Sequence, residues 1–124
     1  MNWFLLAASV VSLTTFLAHL FWGGHEVAKP LLNTPELQEV TKLTTYYCWH
    51  IATILFFFMT CAYAYVALLQ LDIPLTVAIT GIAAACVLLN VGLIVVRKLK
   101  PLDYPQWVFF IPITLFGVLG LFSS

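Results

Sequence analysis

Charge is scarce in this chain: acidic and basic side chains make up 8% of its 124 residues, against about 25% in an ordinary soluble domain. The formal net charge is zero, so no basic face is available to hold a nucleic-acid backbone. Cysteine is sparse too. Cys48, Cys61 and Cys86 show no CxxC spacing, which argues against a disulfide framework or a clustered zinc site. Free thiols in apolar surroundings act as small hydrophobic residues. Proline and glycine are missing from Glu36 to Asp72, so nothing in that stretch interrupts a helix. Alternating segments of about ten residues, the mark of a transmembrane β-barrel, are also lacking.

Apolar residues are what the chain has in excess, at 63%. A protein this short cannot bury that much apolar surface within itself, and lipid is the natural cover for the remainder. The charges sit only at Glu26, Lys29, Glu36, Glu39, Lys42, Asp72, Arg97, Lys98, Lys100 and Asp103, leaving 1–25, 43–71, 73–96 and 104–124 uncharged. Each of these approaches or exceeds the roughly 20 residues a helix needs to cross hydrocarbon. The first lacks a positive leading region, and its apolar run outlasts the roughly 7–15 residues of a secretory signal. It reads as a span rather than a cleaved leader.

The expected fold is therefore all-α: an integral membrane bundle of four transmembrane helices in a single domain, 1–124, with helices at about 3–22, 36–70, 74–99 and 105–122. Gly23-Gly24 is the expected end of the first helix, because glycine readily takes the left-handed cap conformation. Asn33-Thr34-Pro35-Glu36 reads as the start of the second, with a capping side chain, an early proline and an acid that suits the helix dipole. Pro112 is expected to kink the fourth. Small residues such as Gly81, Gly92, Gly117 and Gly120 would let helices approach closely.

Lys29 and Lys42 lie in the first connection and Arg97, Lys98 and Lys100 in the third, whereas the second has no basic residue. By the excess of Lys and Arg in cytoplasmic loops, both termini are expected on the opposite, periplasmic face. Trp22, Tyr46, Tyr47, Trp49, Tyr104 and Trp107 fall toward the basic side, as an interfacial aromatic belt would.

Chemistry-bearing residues are few. His19, His50 and Asn90 each lie in the basic half of a different span, and helical spacing adds Thr15 and Tyr46 to their faces. These five form the expected polar pocket. Neutral imidazole ligates zinc, copper and iron, so His19 and His50 can hold one transition metal or the two faces of a haem. His25 and Glu26, just past the glycine pair, can add a nitrogen and a carboxylate. The simpler reading makes His19 and His50 interhelical hydrogen-bonding contacts, since no HExxH or HxxxH pair is present. No Ser/His/Asp set or carboxylate pair lies within the spans, which speaks against an enzyme.

The run Phe21-Trp22-Gly23-Gly24-His25-Glu26-Val27-Ala28-Lys29-Pro30-Leu31-Leu32, followed by Tyr46-Tyr47-Cys48-Trp49-His50, resembles a small family of four-helix bacterial inner-membrane proteins without an assigned activity. That resemblance covers the whole chain and implies topology and a bacterial inner membrane, with no reaction to transfer. The order His19, Gly23-Gly24, Pro30 is also similar to small haem-associated bacterial membrane families. In size the chain resembles the small multidrug resistance transporters. It departs from them in having no acidic residue in the expected first helix, 3–22. The favoured expectation is a non-enzymatic structural or partner-binding component that meets the lipid bilayer and either a second copy or another membrane protein. A haem- or metal-binding protein is the first alternative, and a small-molecule or lipid-binding or transport component the second.

Overall fold

The computed structural model describes residues 1–123 and contains four helical rods, with no strand among the described residues. We number them α1 (Trp3–Leu32), α2 (Glu39–Leu68), α3 (Ile73–Arg97) and α4 (Trp107–Phe122). The first three are long and apolar enough to cross a membrane. Only 22–28% of the most apolar stretch of each is buried inside the bundle, so the rest keeps part or all of its apolar surface uncovered. Such an outward apolar face is the inverse of a soluble bundle, whose helices hide one stripe.

The rods run up and down, so that α1 lies between α2 and α4, and α3 completes the ring against α4 and, more loosely, α2. Asn2 ties one end together. Its side-chain oxygen accepts from the Phe4 and Leu5 amides, capping α1, while Nδ2 donates to the Gly120 carbonyl at 2.8 Å and its own N–H to that of Ala67 at 3.0 Å. Asp72 caps α3 by accepting from the Leu75 amide at 2.9 Å, with Pro74 in the first turn. At the opposite end α3 stops on Lys98, whose φ of 51° is left-handed.

The core lies in the half nearest the termini. Leu5 and Ala8 of α1 meet Met59, Tyr63 and Val66 of α2, Ile79 and Ala83 of α3, and Phe110 and Ile113 of α4. Gly120 lets Leu5 press against α4, and Gly117 makes room for the Tyr63 hydroxyl and Thr80, which bond to each other at 2.9 Å. A Cβ at Gly81 or Gly92 meets nothing within 4 Å, so the close approach expected there is confined to α4. Nearer the basic end, past Thr15, Met59, Ala83 and Phe110, only Ala28 and Asn90 are buried. Packing is therefore looser in that half.

Several expected boundaries shift. The first helix does not end at Gly23-Gly24; it continues to Leu32, changing to π-helical hydrogen bonding over Ala18–Ala28. No glycine takes a positive φ, so neither supplies the left-handed cap that would end the helix. Asn33 and Thr34 close α1 instead of opening α2: the Asn33 amide donates to the Lys29 carbonyl and the Thr34 hydroxyl to that of Pro30. With those groups engaged, α2 starts at Glu39 rather than 36 and ends at Leu68 rather than 70. α3 occupies 73–97 rather than 74–99, and α4 107–122 rather than 105–122, because 101–106 form turns. Glu26 consequently lies on the first rod, where no acid was expected, beyond its apolar part.

Candidate functional site

π-Helical hydrogen bonds run from residue i to i+5, and π geometry is ordinarily a single turn, often at functional sites. Here it persists for 11 residues. Its C-terminal end is marked by the Lys29 amide donating to the Gly24 carbonyl. The wider turn stacks Leu20, Gly24 and Ala28 along one face. Two of these three are small, and a Cβ at Gly24 meets nothing within 4 Å. A cleft of about 390 Å³ opens there, between the π segment and the first turns of α2. Tyr46, Trp49 and His50 form its α2 wall, and Lys29, Leu32 and Asn33 its rim.

His19 is not part of the lining, but it packs against Trp49, which is. Its Nε2 lies 3.1 Å from the Trp49 carbonyl, which also accepts from the Thr53 hydroxyl at 3.1 Å. A carbonyl only accepts, so Nε2 carries the proton. The imidazole stacks on the Trp49 indole, with centroids 3.9 Å apart and planes 16° off parallel, and meets Phe56 edge-on at 5.0 Å. The indole in turn lies over Gly23, where a Cβ would sit 2.8 Å from Cη2 and 2.9 Å from Cζ2 of the ring. His19, Trp49 and Gly23 are thus one interlocked contact, joined to the cleft through Trp49.

The five residues expected to share a polar layer occupy four places. Tyr46 and His50 sit edge-on to each other at 4.5 Å in the cleft. His19 is committed to the Trp49 carbonyl, within electrostatic reach of His50. Thr15 is buried with Ser12 beside Phe56, Met59, Phe110 and Ile113, its hydroxyl bonded back to the Val11 carbonyl at 2.8 Å. Asn90 sits between α3 and the turn before α4, donating to Gln106 Oε1 at 3.1 Å while its own buried Oδ1 has no protein partner.

Of the four candidate metal ligands, His25 and Glu26 pair with each other at 3.0 Å on an exposed face. Nowhere among the described residues do three His, Cys, Asp or Glu side chains converge. His19, His50, His25 and Glu26 are not gathered around one point, because the continuous α1 keeps His25 and Glu26 from folding back.

Sequence reasoning placed Lys29 and Asn33 in a loop and so missed them as cleft residues. Their i, i+4 spacing at the end of a helix is the signal that places them on one face. The side chains of Lys29, Asn33, Tyr46 and His50 make no hydrogen bond or ion pair with any described residue. No family model, curated protein or solved structure matches the chain, so the cleft's chemistry rests on its own residues.

Proposed function

We propose that this chain is a four-span integral membrane protein, in a bacterial inner membrane with both termini periplasmic, whose non-enzymatic role is to hold a small ligand in the cleft between α1 and α2. α4 has 16 residues, about 24 Å of helix against ~30 Å of hydrocarbon. Asn2 donates to its Gly120 carbonyl, and Asn90 of α3 donates to Gln106 just before its start. These contacts support reading α4 as a fourth span beside its neighbours.

The observation that carries the ligand reading is the cleft itself. Its volume falls in the range of about 300–1,000 Å³ typical of small-molecule sites, and it combines apolar walls with a few polar groups. Those polar groups make no hydrogen bond or ion pair with any described residue, which leaves them free to bond a ligand. The haem or metal alternative, with His19 and His50 as ligands, has no third His, Cys, Asp or Glu beside them among the described residues.

Gly24→Leu tests this directly, because Gly24 lines the cleft and a Cβ there meets nothing within 4 Å. Native mass spectrometry of gently solubilised protein should show a retained small-molecule adduct on the wild type. The adduct should be absent from Gly24→Leu, with helical circular dichroism unchanged. An adduct of equal occupancy in both proteins, or none in either, would overturn the ligand-binding reading.

A further inference from the structure

We infer that the ligand of this cleft is an anionic amphiphile, whose phosphate or carboxylate sits among Lys29, Asn33, Tyr46 and His50 while its apolar part lies along Leu20 and Trp49. The inference rests on the ligand-binding reading above and adds the chemical class. Every polar side chain in the lining can donate a hydrogen bond: Lys29 is donor-only, and Asn33, Tyr46 and neutral His50 each carry at least one N–H or O–H. No lining side chain is acceptor-only, for the cleft has no carboxylate. A neutral or cationic ligand would leave the Lys29 ammonium without a counter-charge, whereas an anion satisfies it with charge-assisted bonds.

Glu26 pairs with His25 at 3.0 Å and Glu39 with Lys42 at 4.0 Å, and Lys29 is held in no ion pair by either. The position suits an amphiphile. The cleft opens at the end of the bundle that carries Lys42, Arg97, Lys98 and Lys100, where anionic headgroups meet juxtamembrane basic residues. The lining also offers apolar surface, from Leu20, Ala28, Leu32 and Trp49. A headgroup near Lys29 and Asn33 and a chain against Leu20 and Trp49 uses both kinds of surface.

The test uses the full-length protein in detergent with three probes: phosphatidic acid, diacylglycerol of the same chains, and inorganic phosphate. Adduct formation in native mass spectrometry, titrated with each probe, is the readout. Phosphatidic acid should bind, diacylglycerol should not, and Lys29→Gln should weaken phosphatidic acid roughly tenfold, the worth of one charge-assisted hydrogen bond. Lys100→Gln, a basic side chain away from the cleft, should leave it unchanged. Inorganic phosphate binding as tightly as the lipid would keep the anion assignment and make a free anion the source.

Equal binding of diacylglycerol and phosphatidic acid, insensitive to Lys29→Gln, would overturn the anionic assignment and leave the cleft a neutral-lipid site. Phosphatidic acid binding that survives Gly24→Leu would overturn both readings, because the lipid would then sit elsewhere. Absence of any adduct with all three probes would overturn the anionic assignment, and an unidentified adduct carried over from the membrane would then be the remaining support for the ligand reading.

Discussion

At the residue scale, the two adjacent glycines have opposite duties. Gly23 lies under the Trp49 indole, a rigid ring that cannot step aside, whereas Gly24 faces open cleft. Gly23→Ala should therefore destabilise the protein by about 1–3 kcal/mol, the usual penalty for overpacking. Gly24→Ala should be neutral or slightly stabilising, since alanine suits a helix better by about 1 kcal/mol. Reversible unfolding in mixed detergent measures both, and equal effects would contradict the packing described for Trp49. His19 offers a second comparison. Its role as donor to the Trp49 carbonyl is one that glutamine can share and leucine cannot. His19→Leu should lose about 0.6–2 kcal/mol relative to His19→Gln, the range for interhelical hydrogen bonds in membranes.

At the scale of the element, the continuity of α1 is the feature with most consequence. A loop beginning at Gly23 would expose its amides to solvent, while the π-helical ladder pairs those of residues 23–28 with carbonyls five residues earlier. Hydrogen exchange followed by mass spectrometry should show 23–28 protected and the turns at 101–106 unprotected; equal, fast exchange in both would restore the glycine break. This is also where the sequence was least legible. The positions of the ten charges located all four helices, and every boundary but the end of the first to within about three residues, because a buried or lipid-facing span tolerates no charge. The fate of Gly23-Gly24 depended on an indole supplied by another helix, which no local pattern encodes. Once α1 ran on to Leu32, Lys29 and Asn33 moved from an assumed loop to the rim of the cleft. Depth along the helices predicted that His19, His50 and Asn90 shared a level; it said nothing about rotation around each axis, and rotation separated them.

At the scale of the whole molecule, the terminal half is a closely packed bundle and the basic half is open. Tyr63, wholly buried and bonded to Thr80, should be costly to change. Tyr63→Phe leaves the Thr80 hydroxyl to find another partner and should lower stability by about 1–2 kcal/mol, without altering occupancy of a cleft at the other end. Loss of occupancy with Tyr63→Phe would mean that the two halves are coupled. The exposed apolar side chains that surround the bundle, from Val40 and Leu69 to Val96 and Phe122, are compatible with lipid contact over nearly the full length of the rods. Under the proposed embedding, the cleft mouth opens at the basic face.

Cysteine accessibility in intact and permeabilised cells tests that arrangement most directly. In a background with Cys48, Cys61 and Cys86 replaced by alanine, single cysteines would be placed at Gln38 and Leu102, in the two basic connections, and at Gln70 and Ser123 at the other end. An impermeant maleimide should label Gln70→Cys and Ser123→Cys in intact cells, and Gln38→Cys and Leu102→Cys only after permeabilisation. Labelling of Leu102→Cys and Ser123→Cys from the same side would show that α4 does not cross, and labelling of all four from one side would contradict the membrane-spanning bundle as a whole.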